Sequence, residues 1–287
     1  MPLSGPAERQ RSAADGTLLR RTLTAAVLLG GCLAALFLLE RVWLAVLASL
    51  VAALAAAEWM RLGPQTRLPA PLAGAIAGVS CGVALALFWP LHPPRRELLA
   101  VWASASLFWA VAAPALLARG LPATRAFAHF VAGVFLIAAP VLALVALAPE
   151  RALALLALCW ISDSAAYLAG RRFGRRPLAP AISPGKTLEG AAAGFATVLV
   201  CAMIAAQVLP GLARPASLTG WVAFLALVAA LVALGIVADL FKSLLKRRAG
   251  VKDSGRLLPG HGGVLDRVDS SLAVLPAGAL AFSLFSR

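Results

Sequence analysis

The sequence predicts an all-α polytopic integral membrane protein with about nine transmembrane helices and a cytoplasmic N-terminus. Of its 287 residues, 61% are hydrophobic and only 13% are charged, whereas a typical soluble domain carries roughly 25% charged residues. The mean hydropathy of +0.89 agrees with this class. Because each membrane-spanning helix uses about 20 residues, helices and short connections account for nearly the whole chain and leave little for an extramembrane domain.

Nine apolar segments without internal Lys or Arg support this helix count. They cover residues 22–39, 42–60, 72–91, 97–118, 126–148, 152–169, 188–209, 219–241 and 270–286. Only Glu40 and Arg41 separate the first two segments, and each is close to the shortest length that crosses about 30 Å of hydrocarbon. An eight-helix arrangement with a re-entrant hairpin at this point is therefore an alternative. Residues 1–16 are polar and are predicted to form a disordered cytoplasmic N-terminus.

The distribution of basic residues predicts the orientation of the chain. The formal net charge is +14, and 20 of the 26 Lys and Arg residues fall in the N-terminal segment and in the alternate connections 61–67, 119–125, 171–186 and 242–267. Cytoplasmic loops carry such an excess of basic residues, so these connections are predicted to lie on the cytoplasmic side of an inner (plasma) membrane. No basic run is interleaved with aromatic residues, and we expect no nucleic-acid partner.

Several isolated residues are predicted to have structural roles only. The four cysteines lie inside apolar segments without a CxxC pair, as is typical of small buried hydrophobic residues. The seven tryptophans fall mostly toward segment ends, where indole rings anchor helices at the membrane interface. His92 and His129 are isolated, so we assign them structural or interfacial roles. Glu58 lies at a helix end and is given no functional role.

The connection over residues 242–269 carries the densest group of polar residues. Asp239, Ser243 and Lys246 have the spacing i, i+4, i+7, so a helix that continues past the eighth apolar segment places them on one face. Asp266 and Asp269 are three residues apart and share a face of the helix that leads into the ninth segment. Two groups of carboxylates are thus predicted to flank one cytoplasmic loop.

A glycine-rich run, Pro-Gly-His-Gly-Gly at residues 259–263, lies between these two groups. Glycine allows the backbone to approach a ligand closely. Mg²⁺ is usually held by one or two carboxylates plus phosphate oxygens of the substrate, and lysines and arginines bind the remaining phosphate oxygens. The combination indicates a site for a metal ion and a polyphosphate. The alternative is a solvated basic loop with incidental ion pairs.

The other long connection, residues 170–187, ends in Ser183-Pro-Gly-Lys186-Thr187. This run is not a P-loop, because the first glycine of GxxxxGK[ST] would fall at Pro180. Pro184 is predicted to be the first residue of the seventh helix, with Ser183 as its cap. The amides of the helix start and the Lys186 side chain would then face the cytoplasm, where they can bind an anion. The alternative is an ordinary helix start.

Asp163 lies within the sixth apolar segment. An ionisable side chain exposed to lipid there costs at least about 2.5 kcal/mol. We therefore expect Asp163 to face the interior of the helix bundle, close enough to the cytoplasmic end to reach a cavity that opens inward.

These motifs resemble the signature of the phosphatidate cytidylyltransferases, also called CDP-diacylglycerol synthases. The run from Ser243 to Asp269 matches that signature position for position: Ser-x-x-Lys-Arg, four residues, Lys-Asp, and then Pro-Gly-His-Gly-Gly-x-x-Asp-Arg-x-Asp. Two further family landmarks are present, namely Asp163 followed by Ala-Tyr and Gly-Arg, and the box Ser-Pro-x-Lys-Thr-x-Glu-Gly over residues 183–190. The first 150 residues match only as a set of apolar segments.

The resemblance implies transfer of CMP from CTP to phosphatidic acid, which gives CDP-diacylglycerol and pyrophosphate. By the same resemblance, the catalytic residues are Asp239, Asp266, Lys246 and Ser243. The implied ligands of Mg²⁺, with or without a second cation, are Asp239, Asp266, Asp253, Asp269 and Asp163. The implied substrate contacts are Lys186, Ser183, Thr187, Arg247, Lys252, His261, Gly262, Gly263 and Arg267.

This interpretation divides the chain into N-terminal transmembrane helices over residues 17–150 and a catalytic transmembrane region over residues 151–287. The active site is expected on the cytoplasmic side, between the loops 170–187 and 242–269. The expected partners are CTP, phosphatidic acid and the lipid bilayer, and a homodimer is compatible with the sequence.

Three positions depart from the family pattern. The family usually has Gly-Asp-Leu-x-Glu-Ser before Lys-Arg, whereas this chain has Ala238 and Lys242 in place of the glycine and the glutamate. Gly185 replaces a residue that is commonly Lys or Asn. Because the other polar signature residues are kept, Lys242 is expected to lie beside the site, as a phosphate contact or as an i+3 partner of Asp239.

Two alternative functions follow from the same observations. One is a cytidylyltransferase that acts on another lipid phosphate, such as an isoprenoid phosphate. The other, from a different class, is a proton-coupled transporter. A transporter would carry its charged residues near the middle of the bilayer, whereas here the charged candidates other than Asp163 gather on one face.

Overall fold

The structure of the protein is a computed structural model that describes residues 24–64, 68–89, 96–122, 125–209, 214–255, 257 and 262–285. The helices are α1 (Thr24–Leu38), α2 (Arg41–Arg61), α3 (Ala70–Leu87), α4 (Arg96–Arg119), α5 (Ala126–Ala146), α6 (Pro149–Phe173), α7 (Leu188–Val208), α8 (Leu218–Arg248), the short α9 (Leu265–Val268) and α10 (Ser271–Phe285). Two antiparallel strands, β1 (Pro177–Ala179) and β2 (Ser183–Thr187), form a hairpin between α6 and α7.

The helices confirm the polytopic membrane class. Within the described ranges, seven helices, α2 to α8, are long and apolar enough to cross a membrane. Both α1 and α10 are apolar but shorter, α10 having 15 residues. The count of nine spanning helices and the cytoplasmic N-terminus therefore stay predictions. The segment 1–16, which was expected to be disordered, lies outside the described residues, as do His92 and His261.

Two helices extend beyond the apolar segments that predicted them. Helix α6 continues to Phe173. Helix α8 continues to Arg248, because the buried residues Phe241 and Leu245 prolong its inner face past the apolar segment. Ser243, which was placed on this helix by its spacing, lies on the extension and is half-buried.

The start of α7 differs from the prediction. Ser183 does not cap this helix, because residues 183–187 pair with β1 as a strand. Helix α7 begins at Leu188, and the cap is Thr187, whose hydroxyl accepts a hydrogen bond from the backbone N–H of Gly190 at 3.1 Å. Strand pairing with a neighbouring segment takes precedence here over a local capping pattern, and it places Lys186 on the hairpin.

The hairpin is fixed to the helices on both sides. The carboxylate of Glu189, in the first turn of α7, accepts hydrogen bonds from the backbone N–H groups of Arg175 and Arg176 at 3.0 and 3.2 Å. Helices α6 and α7 also approach closely, since a Cβ atom on Gly190 would lie 2.6 Å from the carbonyl oxygen of Ala166. These contacts hold Lys186 in a defined position relative to both helices.

Buried aromatic side chains join α2, α4, α5 and α8. The Trp59 ring stacks on His129 at 5.3 Å and on Phe241 at 6.4 Å between centroids. Trp59 Nε1 donates to the carbonyl oxygen of His129 at 3.1 Å, and His129 Nε2 lies 3.0 Å from the carbonyl oxygen of Trp59. The structural role predicted for His129 is confirmed. The interfacial prediction is wrong for Trp59, Trp102 and Trp109, which are buried in the core of the bundle.

The connections that follow α2, α4, α6 and α8 meet at one end of the bundle. The Arg248 side chain donates to the carbonyl oxygen of Pro122 at 2.6 Å, which joins the end of α8 to the end of α4. At the opposite end, the Arg151 guanidinium lies 5.1 Å from the ring centroid of Phe282. The described parts of the four basic connections that were assigned to one side of the membrane thus share one face of the protein.

Candidate active site

An ion-pair cluster of three aspartates and three lysines lies on this shared face. It consists of Lys186 on β2, Asp239, Lys242 and Lys246 on α8, Asp266 on α9, and Asp269 at the end of α9. Lys186 pairs with Asp239, and Lys246 Nζ lies 2.8 Å from Asp266 Oδ1. Residues from separate parts of the signature therefore come together only in the folded chain.

Lys242 lies at the centre of this cluster. Its ammonium group contacts the carboxylate of Asp269, and it lies 3.1 Å from Asp266 Oδ1 and 3.9 Å from Asp239 Oδ1. The Lys242 side chain is only 5% exposed. The expected i+3 pairing with Asp239 is therefore confirmed, whereas the expectation that Lys242 lies beside the site is wrong. The spacing along α8 relates Lys242 only to Asp239, whereas the packing of α9 against α8 adds two more carboxylates.

The other two lysines of the cluster are more accessible. The Lys186 side chain is 31% exposed and the Lys246 side chain is 14% exposed. Each of them pairs with a single aspartate, so each can turn toward a phosphate group that approaches this end of the bundle. Lys242 cannot do so without leaving buried carboxylates unpaired, which is costly.

Asp266 accepts the largest number of hydrogen bonds in the site. Its Oδ2 atom accepts from the backbone N–H and the hydroxyl of Ser254, at 2.9 and 3.0 Å, and from the backbone N–H of Gly263 at 3.2 Å. Burial by itself raises the pKa of a carboxyl group, but the ion pairs with Lys242 and Lys246 and these hydrogen bonds hold the pKa of Asp266 below its usual range. Asp266 is therefore ionised at neutral pH.

Glu58 on α2 anchors the segment that carries Asp266. Its side chain is buried, and its carboxylate accepts hydrogen bonds from the Ser254 hydroxyl at 2.8 Å and from the backbone N–H groups of Val264 and Leu265 at 3.0 and 2.8 Å. The interpretation of Glu58 as a residue without a role is wrong, because it holds this segment. One signal in the sequence could have indicated this role: Glu58 is an acidic residue at the end of an apolar segment, beside an otherwise basic connection.

Two glycines leave the space that the Glu58 carboxylate occupies. A Cβ atom on Gly255 would lie 2.2 Å from Glu58 Oε1, and one on Gly263 would lie 2.2 Å from Glu58 Oε2 and 2.4 Å from the Ser254 hydroxyl. Any other residue at these positions would push the loop away from α2. The signature glycine at 263 is thus explained by close packing against a carboxylate of the N-terminal half.

Asp253 and Gly262 lie on the rim of the cluster. Gly262 has a φ of +81°, in the region that favours glycine. A Cβ atom on Gly262 would lie 2.9 Å from Asp266 Oδ2 and 3.6 Å from Asp253 Oδ1. Asp253 and Lys252 are both exposed, so the rim carries one charge of each sign beside the cluster.

Three of the predicted substrate contacts have other partners. The Thr187 hydroxyl caps α7, and Ser183 lies in β2. The Arg247 Nε group donates to the carbonyl oxygen of Ile182 at 3.1 Å, which ties the hairpin turn to α8. These contacts hold the hairpin that carries Lys186 in place.

A cavity of about 450 Å³ lies next to the cluster. Its walls are apolar residues of α1, α2, α5, α6 and α10, and its polar lining includes Asp163, Arg267 and Asp269. The Arg267 side chain is exposed and has no ion-pair partner in the described part of the chain. Apolar walls beside a free guanidinium suit an amphiphile with an anionic headgroup.

The donor set of the site suits a divalent cation that arrives with a phosphate ligand. Among residues 24–285 that the structure describes, no three carboxylate, imidazole or thiol groups converge as a metal-binding set, because lysines lie between the aspartates. Mg²⁺ rarely requires such a set, since one or two carboxylates and phosphate oxygens usually hold it. Asp239 and Asp266, which pair with the accessible lysines, are the two carboxylates that fit this role.

Comparisons with known proteins agree with these observations. Residues 19–285 match the cytidylyltransferase family. A phosphatidate cytidylyltransferase of Pseudomonas aeruginosa is 36% identical over 274 residues, which cover 91% of this chain and 96% of that protein. Proteins of the same name from Haemophilus influenzae and Thermotoga maritima are 48% and 40% identical over 120 and 134 residues, or 42% and 47% of this chain. These two alignments span only 41% and 49% of the relatives' own lengths.

Proposed function

Because the chain belongs to the cytidylyltransferase family, we propose that it transfers CMP from CTP to phosphatidic acid and forms CDP-diacylglycerol and pyrophosphate. The observation that carries this proposal is the cluster itself. The two signature aspartates at 239 and 266 each pair with an accessible lysine, next to an apolar cavity with a free arginine. The near full-length similarity to a phosphatidate cytidylyltransferase supports the same assignment.

The proposed reaction needs no covalent intermediate with the protein. A phosphate oxygen of phosphatidic acid forms a bond to the α-phosphorus of CTP, and the bond from that phosphorus to the β-phosphate oxygen breaks, so that pyrophosphate leaves. Lys186 and Lys246 turn from their aspartates to the triphosphate and neutralise its charge. Catalysis by this chain is then mainly positioning and electrostatic stabilisation at the reacting phosphorus.

We assign Mg²⁺ to Asp239 and Asp266, which become available when Lys186 and Lys246 turn to the nucleotide. A bound divalent cation supplies charge neutralisation and orientation of the phosphate groups. Lys186 and Lys246 exchange one anionic partner for another in this scheme, so neither ammonium group is left unpaired.

We assign the headgroup end of the lipid substrate to the cavity beside the cluster. Its acyl chains would contact the apolar walls, and its phosphate would pair with Arg267, which is adjacent in sequence to Asp266. In this arrangement the lipid phosphate and the nucleotide would lie on opposite sides of Asp266. A cytidylyltransferase for another lipid phosphate would use the same groups, whereas a transporter is not favoured, because the ion-pair cluster lies at one end of the bundle.

The activity is tested with purified protein, labelled CTP and phosphatidic acid. We expect a labelled lipid and pyrophosphate only when both substrates and Mg²⁺ are present, and no product after addition of EDTA. A parallel reaction with an isoprenoid phosphate separates the two lipid classes. Failure to form any labelled lipid with either acceptor would contradict the proposal.

We further propose that the cluster faces the cytoplasm of a cell whose inner membrane the protein spans several times. The 20 of 26 basic residues assigned to one side support this orientation. Cysteines substituted one at a time for Lys186, Lys246, Arg96 and Arg214 are expected to react with an impermeant thiol reagent in intact cells only at positions 96 and 214. Each is best introduced into a chain whose four native cysteines are replaced by serine or alanine. Labelling of position 186 or 246 before the membrane is opened would contradict this orientation.

A further inference from the structure

We propose that the Lys242 ammonium group is a built-in cation of the aspartate cluster, so that the site takes a single divalent cation with its nucleotide and needs no second one. The inference rests on the proposed function only for the identity of the nucleotide. It concerns the number of cations that the cluster holds, which is measured without turnover.

The position of Lys242 supports this role. Three carboxylates from α8 and α9 converge on its ammonium group, which contacts Asp269 and lies 3.1 and 3.9 Å from Asp266 and Asp239. The side chain is almost fully buried. Carboxylates that converge on one buried point are the usual surroundings of a bound cation, and here the point is occupied by a covalently attached positive charge.

Asp269 is committed to this internal pair. One of its oxygens contacts Lys242, and its Oδ1 atom accepts a hydrogen bond from the backbone N–H of Ser270 at 2.8 Å. Asp269 is therefore the counterion of Lys242, and we do not assign it to Mg²⁺. Asp239 and Asp266 differ from it because each has a second lysine partner that is partly exposed.

The charges of the cluster agree with a single divalent cation. As the structure stands, three aspartates balance three lysines. When Lys186 and Lys246 turn to the triphosphate, three carboxylates and the Lys242 ammonium remain, with a net charge that one divalent cation neutralises. This count covers the six residues of the cluster, and the neighbouring carboxylate of Glu58 is satisfied by hydrogen bonds from Ser254, Val264 and Leu265.

The charge balance of the cluster also predicts the effect of substitutions at position 242. A methionine there has a similar length but no charge, and it leaves three buried carboxylates without an internal counterion. A glutamate there adds a fourth carboxylate, and the cluster would then need two divalent cations. Lys252→Met makes the same chemical change on the exposed rim and is the matched control.

Mn²⁺ is the probe, because bound and free Mn²⁺ are distinguished by electron paramagnetic resonance. We expect the purified wild-type protein with a non-hydrolysable CTP analogue to bind about one Mn²⁺, and Lys242→Glu to bind about two. Without nucleotide, when Lys186 and Lys246 stay paired with their aspartates, the wild type and Lys252→Met should unfold at nearly the same temperature in EDTA and in Mn²⁺. Lys242→Met should unfold at a clearly lower temperature in EDTA and should recover when Mn²⁺ is added.

Two results would overturn the proposal: two bound Mn²⁺ ions in the wild type, or no effect of Mn²⁺ on the unfolding temperature of Lys242→Met. If Lys242→Met does not fold, the Mn²⁺ counts of the wild type and of Lys242→Glu carry the test, and a count of one ion in Lys242→Glu would also overturn the proposal. Because these measurements need no lipid acceptor, their failure is distinguishable from failure of the cytidylyltransferase assay.

Discussion

Asp266→Asn is expected to lower turnover by about a thousandfold or more, which corresponds to several kcal/mol of transition-state stabilisation. The substitution keeps the shape of the side chain but removes the charge that faces Lys242 and Lys246. It also removes one of the two carboxylates assigned to Mg²⁺. The rate of CDP-diacylglycerol formation, measured at saturating CTP and phosphatidic acid, checks the expectation.

Asp266→Asn also alters the hydrogen bonds that this carboxylate accepts, so a control variant must separate that effect from the loss of charge. Asp239→Asn removes the other assigned carboxylate, which makes fewer such bonds, and a comparable loss is expected from it. Glu97 is exposed and lies in the first turn of α4, at the end of that helix away from the cluster. Glu97→Gln should therefore leave the rate unchanged. Unfolding temperatures show whether each variant is folded. A folded Asp266→Asn enzyme within tenfold of the wild-type rate would remove Asp266 from the site.

Glu58→Gln is expected to destabilise the protein by about 2–5 kcal/mol, because the amide group leaves one or two buried N–H or O–H donors without an acceptor. Glu58 lies outside the cluster and acts through Ser254, whose hydroxyl donates to Glu58 and whose backbone N–H donates to Asp266. At temperatures where the variant is folded, we expect kcat to fall by about tenfold or more, since Asp266 loses its fixed orientation. The KM for CTP should change much less.

The comparison for this variant is Glu40→Gln, at the opposite end of the same helix, where the side chain is exposed and makes no capping hydrogen bond. It should retain both stability and kcat. A folded Glu58→Gln enzyme with unchanged kcat would limit Glu58 to a purely structural role. Partial recovery of kcat in Glu58→Asp, which keeps the charge, would support the positioning role.

The sequence predicted those parts of the site that depend on local spacing. The i, i+4, i+7 pattern placed Asp239, Ser243 and Lys246 on one helix, and the structure extends α8 far enough to include them. The hydropathy pattern likewise located the seven long apolar helices among the residues that the structure describes. These features depend on neighbours within one or two helical turns, and such neighbours are visible in the sequence itself.

The features that the sequence did not predict depend on contacts between distant segments. The central position of Lys242 follows from the packing of α9 on α8, and the role of Glu58 follows from contacts with residues 196 to 207 positions later. The cap of α7 was misplaced for a related reason, since Ser183 pairs with Ala179 in a strand before the helix begins. A pattern read along one segment does not contain the position of its partner.

The hydrogen bonds of Glu58 have a consequence for the biogenesis of the protein. Helix α2 leaves the ribosome long before residues 254–265 are translated, so the early chain carries a carboxylate at a helix end whose final donors do not yet exist. Until they arrive, water at the membrane surface must solvate this group, which keeps the end of α2 from closing onto its neighbours. A segment synthesised late therefore completes the packing of one synthesised early, and a product truncated before residue 254 cannot assemble the cluster.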